Sequence, residues 1–266
     1  MNVEKYYVLI AEGITDCSLL EAILEKYLDY TQYANSNQLP ELFKEMIGKY
    51  PTGTGELKRQ DSPMFYHKGN THVAVKMAGG CSKLTNRVSS IIEIIDKLDV
   101  YRDFGGFLVF ADTDRENSAH ITKKLAEDLK KEDFVYQNDV VEAYEHEIPC
   151  KLHLFPTEGC GAIEKLLLEC AEITYKELTA DASKYREFIL DKKYDKLRKE
   201  CWTKSEAVQE FYADKVQFGA ISTVLKPDKP VRFSIKDKLI RKDYKDLYME
   251  IAEFKLLYDF LQDNLK

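Results

Sequence analysis

Phe107-Leu108-Val109-Phe110-Ala111-Asp112-Thr113-Asp114 decides how this chain reads. Five apolar residues run directly into two aspartates spaced two apart. Length and composition fit a strand buried on both faces, as in a parallel sheet. Gly105-Gly106 breaks the chain just before it. Asp112 and Asp114 then fall at the strand's carboxyl end, where open α/β sheets place their ligands. Residues two apart on an extended segment project to one side. Two carboxylates on one side repel each other and are costly to desolvate without a cation. A hard divalent metal relieves that cost, and Mg²⁺ takes one or two protein carboxylates while keeping its waters.

Outward from this stretch, strands and helices alternate. Tyr6-Tyr7-Val8-Leu9-Ile10 is a β-rich apolar run ending at Ala11-Glu12-Gly13. Thr15 or Asp16 is suited to cap the helix that follows, whose Leu19, Leu20, Ile23, Leu24, Tyr27 and Leu28 recur at helical spacing. From about Tyr30 to Thr71 the pattern weakens into an insertion of loops around one short helix near Pro40 to Tyr50. His72 to Ala78 reads as a second strand ending in Gly79-Gly80, followed by a helix from about Ser82 to Leu98. A helix from about Ser118 to Lys131 follows the Asp112 strand. A fourth strand lies within Glu147 to Phe155, and a helix runs from Ala162 to Ala171. From about Thr174 the chain is charged and helical, with a loop at Pro227 to Pro230. The expected fold is α/β, a mostly parallel sheet flanked by helices. One domain covers residues 1–172, with its insertion at about 30–71, and a mainly helical region covers 173–266.

Two strand ends therefore carry acids: Glu12 after the first strand, Asp112 and Asp114 after the third. An acid plus an Asp-x-Asp pair is a reasonable ligand set for Mg²⁺ or Mn²⁺. The plain alternative is a turn in which the aspartates bond to their own backbone.

At 266 residues the chain has room for one large domain or a domain plus an appendage. Its six cysteines, without a Cys-x-x-Cys pair, fit free thiols in a reducing compartment. No apolar run is long enough to span a bilayer, so a cytoplasmic protein is expected, with no membrane partner. The net charge of −7 disfavours a general nucleic-acid coat protein, but a local basic groove can still hold phosphates. Basic clusters occur at Lys192-Lys193 through Lys204 and at Lys226 through Lys245, and most such runs are solvated helix faces.

The segment Glu12-Gly13-Ile14-Thr15-Asp16 after an N-terminal strand, with the apolar strand ending in Asp112-Thr113-Asp114, resembles the two motifs of the TOPRIM domain. That domain occurs in type IA topoisomerases, primases, small ribonuclease-maturation nucleases and OLD-family nucleases. The resemblance covers roughly residues 4–170. Its long gap between Glu12 and Asp112 is accounted for by the insertion. Gly79-Gly80-Cys81-Ser82-Lys83 is similar to the glycine turn of OLD-type and standalone bacterial TOPRIM proteins. Gly161 to Leu168 resembles their late helix, which carries one acid, here Glu164. Ser234-Ile235-Lys236-Asp237-Lys238 resembles a C-terminal Ser/Lys segment of some members.

The resemblance implies a TOPRIM-like, Rossmann-like fold and a nuclease that hydrolyses DNA or RNA phosphodiester bonds with one or two Mg²⁺ or Mn²⁺ ions. Asp112 and Asp114 would hold one ion. Glu12 would hold that ion or act as general base, and Glu164 with Asp16 would supply a second ion. Lys83 or Lys236 would stabilise the phosphate. It also implies a bacterial anti-phage or toxin-like setting and an ABC-type ATPase partner, since this chain has no ATPase motif of its own. A homodimer is compatible with the reading. The rivals are a non-catalytic TOPRIM-like assembly subunit and an Asp-x-Asp phosphatase, although in the latter the nucleophilic Asp belongs to the N-terminal strand, which here ends in Glu12.

Other constellations are weaker. His146, Cys150 and His153 lack a fourth zinc ligand in sequence. Thr52-Gly53-Thr54-Gly55-Glu56 lacks the lysine of a phosphate loop. Cys17 has no histidine nearby in sequence and suits the core. Trp202 is either a base-stacking ring or a helix-docking one.

Overall fold

The computed structural model describes residues 4–48, 62–114, 116–202 and 206–266. The Thr52–Glu56 segment lies outside them. The chain divides into two compact units. The first comprises Met1–Ala111, Ala119–His153 and Phe260–Lys266, and the second comprises Asp112–Ser118 and Leu154–Asp259. The division crosses the chain several times and follows no single boundary near 172.

In chain order the first unit is built on β1 (Lys5–Ala11), α1 (Ile14–Lys26), β2 (Thr31–Gln32), α2 (Glu41–Glu45), β3 (Met64–Lys68), β4 (Thr71–Met77), α3 (Leu84–Leu98), all but the last residue of β5 (Phe104–Asp112), all but the first of α4 (Ser118–Lys130), β6 (Val135–Gln137), β7 (Val140–Ala143) and all but the last two of β8 (His146–Phe155). The strands form one sheet in the order β2-β3-β4-β1-β5-β8-β7-β6. β1 sits inside it, parallel to β4 on one side and β5 on the other. A strand covered on both faces reads as a continuous apolar run, which is why Val8, Leu9 and Ile10 are fully buried. Each such side chain contributes about 1.5–3 kcal/mol relative to exposure.

The sheet is mixed, not mostly parallel, because its margins are antiparallel. The insertion is not only loops around a helix. It supplies β2 and β3, and β3 returns as a hairpin onto β4 through Gly69-Asn70, with Gly69 at a φ of +55°. Glycine at the first central position of a two-residue turn fits the twist of such a hairpin. A second hairpin, β6–β7, turns at Asn138-Asp139, both at positive φ (52° and 60°). Tyr144-Glu145 (50° and 66°) then turns β7 onto β8 in the same way.

Gly105 and Gly106 do not break the chain before the Asp112 strand; they lie within β5. A Cβ on Gly105 would stand 2.4 Å from the Tyr7 ring, and the β1–β5 register shifts between Tyr6 and Tyr7. Gly106 has a φ of +138°, and a Cβ there would meet the Pro149 carbonyl oxygen at 2.7 Å. The glycines let two neighbouring strands approach the backbone of β5.

The second unit is helical: α5 (Ile163–Thr174), α6 (Lys176–Leu190), α7 (Asp195–Cys201), α8 (Glu206–Leu225), α9 (Val231–Ser234), α10 (Lys245–Tyr248) and most of α11 (Ala252–Asn264). Its core gathers Leu167, Cys170, Phe218, Ile221, Leu239, Tyr248 and Phe254, all buried. Tyr248 is a large ring with a polar end, so its hydroxyl needs a partner when buried. It donates to the Leu239 carbonyl and meets Thr174 Oγ1. Trp202 stacks on Tyr212 of α8 with ring centroids 5.9 Å apart, the helix-docking use of that residue. No described helix is long and apolar enough to cross a membrane.

Two glycine substitutions test this packing in opposite directions. Gly106→Ala forces a side chain into a left-handed, crowded position and lowers stability by about 1–3 kcal/mol. Gly219→Ala fills open space on a helix and raises stability by about 0.5–1 kcal/mol. Urea unfolding of both variants measures the two shifts.

Candidate functional site

In the first unit, β1 gives way to α1 at Glu12-Gly13. The N-cap is Gly13, so the helix opens earlier than a Thr15 or Asp16 cap would place it. Asp16 is buried, and its Oδ2 accepts the Gly13 N–H at 3.1 Å. A carboxylate at the third helical position thereby satisfies an amide that the helix cannot pair, and it lies at the positive end of the helix dipole.

Glu12 is half-buried. Its carbonyl accepts the N–H groups of Gly79 and Gly80 at 2.9 and 3.0 Å, and the Ala11 carbonyl accepts Ala78 N–H at 2.8 Å. Gly79 and Gly80 adopt φ of +85° and +121°, which glycine reaches without steric cost. The Gly79-Gly80 turn is thus tied to the end of β1. Lys83 is exposed at the end of the next 3₁₀ turn. Its Nζ lies 3.8 Å from where a Gly79 Cβ would stand.

In the second unit the chain leaves β5 and turns. Thr113 is buried and gives its N–H to the Phe155 carbonyl at 2.8 Å. Its hydroxyl lies within hydrogen-bond reach of both Phe155 O and Gly161 O. Asp114 is left-handed, with a φ of 47°, and donates its N–H to Gly161 O at 2.7 Å. Aspartate tolerates that conformation better than most residues. The extended geometry therefore ends at Asp112, and strand alternation does not set the relation between the two aspartates. Asp112 is half-buried, and its Oδ1 accepts the Ile163 N–H at 3.0 Å. Ile163 is the first residue of α5, so Asp112 satisfies one of the unpaired amides at that helix start.

Glu164 follows in the first turn of α5 and is only 8% exposed. Its Oε2 has no hydrogen-bond partner among the described residues, and Lys215 Nζ lies 4.0 Å away. Burial pushes the Glu164 carboxyl above its ordinary range. The Lys215 ammonium opposes that shift, and the charges of Asp114 and Asp214 add to it. Asp214 is also paired to Arg186 Nε at 3.0 Å. The second unit thus couples Asp114, Glu164, Asp214 and Lys215 electrostatically. Asp214 and Lys215 were missed in the sequence, where no motif or strand end marks these two charges on α8. Lys236 is half-buried in a π turn, Ile235–Leu239, a form often found at functional sites.

Among the described residues, no group of three or more His, Cys, Asp or Glu side chains is gathered to hold a metal ion. The donor chemistry does fit a hard divalent cation. Asp112, Asp114 and Glu164 offer oxygens only, and Glu164 Oε2 is buried without a hydrogen bond. The His146, Cys150 and His153 set is spread along β8. His146 stacks on Tyr101 at 3.7 Å, while His153 packs against Phe110 and Phe260, where burial drives its pKa down to about 4. Cys17 is buried in the core. A cleft of about 350 Å³ in the second unit is lined by Phe155, Ala162 and Lys165, and also by Glu158, Glu169 and Glu253. Those carboxylates make it a poor phosphate site.

No family model matches the chain, and no curated protein matches it. Among solved structures, the chain is similar to the crystal structure of a hypothetical protein from Pyrococcus horikoshii OT3. The identity is 17% and the TM-score 0.52, over 98% of this chain and 95% of that one. At that identity the likeness is one of fold.

The state of Glu164 is open to test. The folded protein holds its proton more tightly than the unfolded chain does. Its contribution to stability is therefore present below the ordinary carboxylate value of 4.5 and is lost as pH rises through the raised folded value. Without divalent cations, Glu164→Gln gains stability over wild type between about pH 4 and about pH 8. Thermal unfolding at both pH values reads the difference; a variant that is equally or less favoured at the higher pH contradicts it.

Proposed function

We propose that this chain is a metal-dependent nuclease of the TOPRIM kind, closest to the OLD-family and standalone bacterial members. The observation that carries the reading is the register of two parallel strands. Ala11 of β1 pairs with Phe110 of β5, and each strand runs on in the same direction into an acidic turn, Glu12 after one and Asp112 to Asp114 after the other. Acids at the carboxyl ends of adjacent parallel strands suit a ligand at that edge of an α/β sheet.

In this reading Asp112 and Asp114 would hold Mg²⁺ or Mn²⁺, and Glu12 would join them or act as general base. Glu164 is the added acid. The hydrogen bond from Ile163 fixes the direction of the Asp112 carboxylate. The cation, when bound, offsets the negative charge that develops on the phosphodiester. Lys83, on the glycine turn tied to Glu12, suits a phosphate-contacting role. Lys236 enters by resemblance alone. The acidic net charge fits a nuclease delivered or restrained by another protein, and a separate ABC-type ATPase in an anti-phage or toxin-like system is the partner we propose.

One observation favours a second reading. The described residues hold no ready-made group of three metal donors, which suits a binding or assembly subunit that shares the fold without turnover. A phosphatase reading is weaker, because the residue that follows β1 is Glu12 and not a nucleophilic aspartate.

Asp112→Asn separates the readings cleanly, since an asparagine Oδ1 still accepts the Ile163 amide and leaves α5 capped. The purified chain, alone and with a candidate ABC-type ATPase, is incubated with Mg²⁺ or Mn²⁺ and a panel of DNA and RNA. Metal-dependent cleavage that falls by at least about 100-fold in Asp112→Asn and Glu12→Gln is the expected outcome. Cleavage that survives both substitutions rejects the assigned residues, and no cleavage under any condition favours the non-catalytic subunit.

A further inference from the structure

We propose that the α6–α7 face of the second unit binds single-stranded nucleic acid. Tyr185 and Phe188 lie three residues apart on α6, hence on one face, and are 49% and 45% exposed. Their rings stack, with centroids 6.1 Å apart and planes at 23°. Tyr194, in the 3₁₀ turn after α6, meets Phe188 edge-on at 5.0 Å. Lys193 Nζ stands 4.2 Å from the Phe188 centroid and 5.1 Å from that of Tyr194. Lys192, Lys196 and Lys199 are exposed along the same stretch.

The local charge is positive although the chain is acidic. Cations outnumber acids between Asp181 and Glu200. Asp181 pairs with Lys184, Asp195 with Arg198 and Arg186 with Asp214, so these cations are offset, while Asp191 keeps its charge and accepts the Lys193 backbone N–H. Glu187 and Glu200 remain as counter-charges.

Large aromatic side chains are usually buried, and a cluster of half-exposed rings marks a surface that meets something. Rings that offer stacking faces beside ammonium groups are the two elements of sequence-tolerant single-strand binding. Bases stack on the rings while lysines neutralise phosphates. A duplex hides its base faces, so it satisfies only the lysines. The basic run that composition alone assigns to a solvated helix face thus gains a ligand once its rings are seen. This inference rests on the preceding reading only for the class of ligand, and it needs no metal.

The test is fluorescence anisotropy in EDTA with a labelled DNA or RNA strand of about 16 nucleotides, the upper end of common single-strand site sizes, and with the same strand in duplex. The single strand binds more tightly than the duplex. Phe188→Ala weakens single-strand binding about tenfold with unchanged circular dichroism, while Phe188→Tyr, which keeps the ring, retains it. Replacing Lys192 and Lys193 by Gln flattens the salt dependence by roughly 0.7 for each phosphate no longer neutralised. Equal affinity for duplex, or indifference to Phe188→Ala, overturns the proposal. Vesicles containing phosphatidylglycerol that bind with the same dependence on Phe188 assign the face to a membrane and overturn it as well. Binding that behaves as stated while no cleavage occurs leaves this inference standing and counts only against the metal chemistry. Cleavage without such binding does the reverse.

Discussion

A central strand that ends in a buried turn must hand its last backbone groups to new partners, and β5 does so where Thr113 is buried in the second unit. Where β5 ends, Thr113 N–H is given to Phe155 O, Asp114 N–H to Gly161 O, and Ile163 N–H to Asp112 Oδ1. These bonds join the Asp112–Asp114 turn to the segment from Phe155 to the start of α5. They are the physical reason Asp112 points as it does and the reason α5 starts where it does. A carboxylate at a helix start is favoured by the dipole and by the unpaired amides. The same pairing fixes the direction of the half-buried Asp112 carboxylate.

Much of the fold was legible in the residues. β1, β4 and β5 announced themselves as largely apolar runs, the pattern of strands covered on both faces, although β4 also buries His72 and Lys76. α1, α3 and α5 followed from helical spacing. The marginal strands were not legible from apolar content. β2 has only two residues, and β6 three. Their sequence signals lay in the turns, Gly69-Asn70 and Asn138-Asp139, which match known two-residue hairpin connections. Gly105-Gly106 reads as a break in sequence and serves as close packing in space, a distinction that only the Tyr7 ring and the Pro149 carbonyl reveal.

The candidate site was legible in its acids and not in its surroundings. Glu12 and Asp112 sit at strand ends, where pattern reading is strong. The left-handed turn at Asp114 and the burial of Glu164 arise from contacts distant in sequence, which no local pattern encodes. Asp214 and Lys215 lie mid-helix in no recognisable motif, and only their proximity to Glu164 distinguishes them. At Asp16 the structure adds what the sequence does not show: its Oδ2 accepts the amide that opens α1. The shared fold with a hypothetical archaeal protein extends over nearly the whole chain and leaves the chemistry to be argued from these residues.

Anomalous diffraction from crystals soaked in Mn²⁺ tests the central claim most directly. The predicted result is a manganese peak bound by the carboxylates of Asp112 and Asp114, absent from crystals of Asp112→Asn. A well-ordered crystal with both aspartates free of manganese, or with the ion bound only elsewhere, would contradict it.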